Sequence, residues 1–112
     1  MPVTKFEIKT RKPFAEGQVF GDAGPYEQLE GVVEFAIDPS HAANQAIADL
    51  ELVPTNAQGQ ISFSSDFRIL RPADPAKGNH RVLLDVPNRG KALALRNFNS
   101  APDVAPDAPP NP

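Results

Sequence analysis

The chain has 112 residues and a formal net charge of -3, which suits one domain with a single modest core and lacks the basic stripe needed to neutralise a phosphate backbone. Nucleic acid is therefore not an expected partner, and the absence of cysteine excludes disulfides and thiolate metal sites while leaving the compartment open. No apolar run approaches the ~20 residues that span a bilayer, and the opening MPVTKFEIKT alternates where a signal peptide would be continuously apolar.

In chain order, the first expected element is a weak strand at KFEIKT, through Phe6 and Ile8. FGDAGPYE follows, with two glycines and a proline that mark a turn. QLEGVVEFAI then sets Leu29, Gly31, Val33, Phe35 and Ile37 on one face of a strand, with Gln28, Glu30 and Glu34 opposite. After the turn DPSHAAN, the segment AIADLELVP reads as another weak strand through Ala48, Leu50 and Leu52, closed by a turn at TNAQGQ. ISFSSDFRIL alternates again, placing Ile61, Phe63, Ser65, Phe67 and Ile69 in phase against Ser62, Ser64, Asp66 and Arg68. These are half-buried, antiparallel-type strands punctuated as a meander.

The proline-rich RPADPAKGNH is expected to act as a long hairpin connection into VLLDVP, a run apolar at nearly every position, as a central strand covered on both faces would be. Within it, Asp85 is expected to need an arginine partner, because a buried carboxylate is costly unpaired. Arg68, Arg71, Arg81 and Arg89 are the possible partners, and a structural ion pair or an exposed strand face outweighs a catalytic acid. KALALRNF predicts a short helix near residues 91–98, with Leu95 and Phe98 on one face. The tail SAPDVAPDAPPNP holds five prolines in thirteen residues and has no periodicity, so residues 99–112 are expected to be disordered beside a β-rich region of residues 1–98.

Few residues carry recognisable chemistry. None of Ser40, Ser62, Ser64, Ser65 or Ser100 stands in Gly-x-Ser-x-Gly, and His41 and His80 fall in turns that read as solvated surface. No acidic or histidine cluster has ligand spacing, so neither a metal nor a cofactor is expected. The loop Asn88-Arg89-Gly90-Lys91 is the sharpest feature: Gly90 permits a positive φ, and backbone N–H groups in such a turn can face a developing oxyanion or a bound anion. The plainer reading is a strand-to-helix turn with Arg89 solvated or paired to Asp85.

The succession DFRILRP, ADPAKGNH, RVLLDV and NRGK resembles the front end of α/β-hydrolases, in which the loop after the corresponding strand, often His-Gly, lends a backbone N–H to the oxyanion hole. With KFEIKTRKPFAEGQVFGDAGPYEQLEGVVEFAIDP and ALRNFN added, the chain except its tail resembles the N-terminal part of a family of large α/β-hydrolase-domain proteins. FGDAGPYEQLEG together with DVPNRG is the most specific portion.

That resemblance implies a mainly β chain whose antiparallel strands form the N-terminal portion of an α/β-hydrolase-type sheet. It implies a small ester-type substrate for the whole protein, and puts Asn88, Arg89 and Gly90 at the oxyanion loop, where the sequence departs from His-Gly. Relatives in that family are several times longer, with nucleophile and triad downstream. The chain is thus expected to be a fragment, inactive alone and prone to self-association through VLLDVP. A free-standing β module for binding or assembly is the alternative.

Overall fold

The computed structural model describes residues 2–87 and 93–99. Three long strands dominate: β1 at Val3–Pro13, β2 at Tyr26–Ile37 and β3 at Ile61–Pro72. They form one antiparallel sheet in the order β1-β2-β3. The chain is mainly β, with one short helix, α1, at Ala94–Asn99. Two compact units divide it, Met1–Arg11 with Leu29–Ile69 and Lys12–Gln28 with Leu70–Pro112.

In the first unit the alternation of β2 and β3 produces a charged face and an apolar face. Phe35 stacks on Phe63 with centroids 5.0 Å apart, and Phe67 stacks on Phe6 of β1 at 4.4 Å. A step of four along β2, from Gly31 to Phe35, is matched by a step of four backwards along β3, from Phe67 to Phe63, as antiparallel pairing demands. On the opposite face Glu30 accepts from the Arg68 guanidinium at 3.0 Å. Leu29, Ala36, Ile37 and Ile61 are the buried apolar residues of this unit, whereas Phe6, Ile8 and Phe63 keep 40% or more of their surface exposed.

Gly31 sits where the backbones come closest. A Cβ there would overlap the carbonyl oxygen of Glu7 and stand 2.9 Å from the Phe67 ring. Glycine is thus required by a close approach, since its φ is ordinary for a strand.

The second unit packs around Phe14, which is buried. Phe20 lies beside Phe14 at 5.9 Å and meets Tyr26 edge-on at 5.6 Å, a favoured aromatic geometry. Ala15 and Glu16 follow Phe14 in left-handed conformation, φ 49° and 56°, a strained turn for residues with side chains. Arg71 donates to Glu27 at 2.6 Å, and the Ala73 amide donates to the Pro25 carbonyl.

The strands expected at residues 28–37 and 61–70 both form, and β1 extends well beyond KFEIKT. Both intervening turns form as well. Asn56 closes TNAQGQ by accepting from the Gln58 and Gln60 amides, and Gly59 takes φ 73°.

Two expected strands are absent. Ala48–Leu52 is a turn ending in a 3-10 segment at Leu50–Leu52, and Asp49 before it is left-handed at φ 59°. That backbone cannot be extended, and because β2 and β3 pair directly with each other, the segment between them is left as their connection. Residues 81–87 form no strand either, and Val82, Leu83, Leu84 and Val86 are 67% to 94% exposed. RPADPAKGNH is accordingly no hairpin: it turns through a 3-10 segment at Pro75–Lys77, where Asp74 accepts from the Ala76 amide. A strand exists only by pairing, and residues 81–87 pair with no strand edge.

The short helix expected near residues 91–98 is found at Ala94–Asn99, with Leu95 half-buried and Phe98 exposed. Residues 100–112 of the tail lie outside the described residues.

Candidate functional site

The chemistry anticipated from the sequence converges on the segment between the apolar run and α1. Asn88, Arg89 and Gly90 themselves lie outside the described residues, as does Lys91. Both flanks of the loop are described, and they are joined by one side chain.

Asp85 is neither buried nor paired to Arg68 or Arg71, whose guanidinium groups meet Glu30 and Glu27. Its Oδ2 accepts from the backbone amides of Leu93, at 3.1 Å, and Ala94, at 3.0 Å. These are the first amides of α1, which have no acceptor within the helix. Leu93 occupies the position where a helix usually carries serine, threonine, aspartate or asparagine, and it has no acceptor to offer. The carboxylate of Asp85 supplies what Leu93 lacks, and its charge suits the positive end of the helix dipole.

The helix then closes its first turn with Asn97 N–H donating to the Leu93 carbonyl at 2.9 Å. The expectation of a buried Asp85 fails because residues 81–87 are exposed, which leaves its carboxylate to accept from amides nearby; Arg89, one of the arginine partners considered for it, lies outside the described residues. The sequence signal for this was indirect, an aspartate upstream of a helix that starts without its own cap.

One other cluster brings serine, histidine and aspartate together, in the turn after β2. Ser40 donates to Asp38 Oδ1 through both its hydroxyl, at 2.7 Å, and its amide, at 2.9 Å. His41 Nδ1 accepts from the Ala43 amide, and the Asn44 side chain donates to the Asp38 carbonyl. The serine hydroxyl faces the carboxylate and not the imidazole, so the trio lacks the nucleophile–base bond of a hydrolase. It is a side-chain-closed turn.

The hydrogen bond from the Ser40 hydroxyl, then that from its amide, hold the Asp38 carboxyl below the usual aspartate range. With a depressed folded value, the stabilisation is complete above the ordinary aspartate pKa and is lost as pH falls through the depressed one. The Ser40 amide resonance should therefore titrate with a midpoint below that of an aspartate in an unstructured peptide. An equal midpoint would show that the turn does not hold the carboxylate in solution.

His80 is exposed and left-handed at φ 58°, just before the apolar run. Among the described residues no group of three or more His, Cys, Asp or Glu side chains is arranged to hold a metal ion. No helix among them is long and apolar enough to cross a membrane. Comparisons with protein-family models, with curated proteins and with solved structures found no match for the chain.

Proposed function

We propose that this chain is the N-terminal portion of an α/β-hydrolase acting on ester-type substrates, and that it contributes an antiparallel sheet and an oxyanion-type loop at Asn88, Arg89 and Gly90. The observation that carries this reading is the apolar run at residues 82–86, exposed and outside the three-stranded sheet, with a short helix at Ala94–Asn99 later in the chain. A strand covered on both faces is what such a composition serves. In a hydrolase sheet its partners would be parallel strands from elsewhere in the protein, and the loop after it would face the reacting carbonyl.

Nothing among the described residues combines a nucleophile with a base, so the chain by itself should show no turnover of a generic aryl ester above buffer. Turnover by the pure chain, abolished by Gly90→Pro, would overturn the view that it needs a nucleophile from outside. A reading frame continuing past Pro112 into Gly-x-Ser-x-Gly would support the hydrolase assignment, and a frame lacking it would count against it.

A second reading has one observation in its favour. β1 is exposed from Val3 to Pro13 and forms an edge of the sheet, which suits a module that binds an extended partner strand. Amide hydrogen exchange separates the two. Fast exchange at residues 82–87 with β2 and β3 protected fits a strand awaiting partners, whereas strong protection there in the isolated chain fits an autonomous β module.

A further inference from the structure

We infer that the outer edge of β1 takes up residues 82–86 of a second copy of this chain, antiparallel, with Leu84 opposite Phe6. The inference rests on the reading of β1 as an edge open to an extended strand, and it names the strand.

Both halves of the contact are exposed in the same chain. β1 is exposed from Val3 to Pro13 and pairs on one side only, with β2. Residues 82–86 have the composition of a covered strand and pair with none among the described residues. Pro87, which has no amide to donate, ends the run.

The alternation of the two segments matches. Phe6 stacks on Phe67, which sets Phe6 and, two residues on, Ile8 on the apolar face of the sheet. Lys5 and Glu7 stand on the other face, where they bridge each other at 3.2 Å. In the run, Val82, Leu84 and Val86 alternate with Leu83 and Asp85. With Leu84 opposite Phe6, Val82 meets Ile8 and Asp85 meets Lys5. A slip of one residue would carry the three apolar side chains to the charged face. Asp85 Oδ2 accepts from the Leu93 and Ala94 amides, so Oδ1 is the atom available to Lys5.

Charge selects this pairing over the others. β1 carries Lys5, Lys9, Arg11 and Lys12 against Glu7 alone. A second β1 laid antiparallel about Glu7 would set Lys5 against Lys9 and Glu7 against Glu7, and like charges directly opposite are destabilising. The other edge strand, β3, offers Asp66, a like charge for Asp85, while Arg68 beside it is held by Glu30. A strand bearing Asp85 therefore favours the basic edge. Every copy carries both halves, so two copies can exchange strands reciprocally.

The chain has no cysteine, so single-cysteine variants report contacts between copies directly. Ile8→Cys and Val82→Cys chains, mixed at equal concentration and joined with a short bismaleimide, should give the mixed product several-fold above its statistical share. A statistical mixture of products would overturn the inference. Lys5→Glu should weaken association, read by sedimentation velocity, about fivefold, the scale of a cross-strand charge pair turned repulsive, and adding Asp85→Lys should restore it. Loss of the α1 cap in that double variant cannot produce such a recovery. Association untouched by Lys5→Glu, or not recovered in the double variant, would also overturn the inference.

Amide exchange across a dilution series separates failure of the inference from failure of the edge reading. Protection of β1 and of residues 82–86 should grow together with concentration. Protection gained at β1 alone would overturn the inference and leave the edge reading standing, whereas no gain at β1 would overturn both.

Discussion

Replacing Gly31 with alanine is expected to cost about 3 kcal/mol, the upper end of the usual cost of overpacking, and replacement with valine to abolish cooperative unfolding. The added methyl would meet the Glu7 carbonyl oxygen of β1 on one side and the Phe67 ring of β3 on the other. A flexible side chain could swing away from it, but a backbone carbonyl can move only if the strand moves with it.

The aromatic stack explains why the position is so tight. β1 and β3 both flank β2, so their side chains start about 10 Å apart, twice the spacing of neighbouring strands. Phe6 and Phe67 nevertheless stack with centroids 4.4 Å apart, which requires a bare backbone between them. For a domain of this size a loss of 3 kcal/mol lowers the melting temperature by about 12 to 24 °C. Ser64→Ala, on the exposed face of β3, is the control and should shift stability by less than about 0.5 kcal/mol. An alanine variant at position 31 that melted with the parent chain would show that the three backbones are not in this register.

Leu84→Lys should convert a concentration-dependent assembly of the isolated chain into a monomer, as read by sedimentation velocity. Val82, Leu83, Leu84 and Val86 form an exposed run that is apolar at four of five positions, interrupted only by Asp85, which is exposed as well. Apolar stretches of this kind, free of regular pairing, seek a strand edge or one another. The sheet offers an edge in β1, exposed along its length.

A lysine in the middle of the run places a charge where any strand partner would have to bury it, while the first unit, which does not include residue 84, should melt unchanged. A parent chain that sediments as a monomer at all concentrations would remove the premise. A lysine variant that assembles as the parent does would place the contact elsewhere.

The sequence by itself determined those elements whose physics is local. Period-two alternation in QLEGVVEFAI and ISFSSDFRIL fixes two faces whatever else the chain does, so β2 and β3 were legible, along with the Asp38 and Asn56 turns. The matched spacing of Gly31 and Phe35 against Phe67 and Phe63 was also present to be read, although only pairing turns it into stacked rings.

Tertiary structure decided the rest. AIADLELVP and VLLDVP both carry strand composition, yet neither becomes a strand, because extended backbone is stable only when its N–H and C=O groups find an edge. Composition states a capacity to pair, and the availability of a partner lies outside the segment. Asp85 shows the same limit for a side chain: the sequence left a structural ion pair and an exposed strand face both open, and exposure of residues 81–87 without a strand made it an acceptor for the Leu93 and Ala94 amides. An ionisable group takes its role from its surroundings, and these are set by which strands found neighbours.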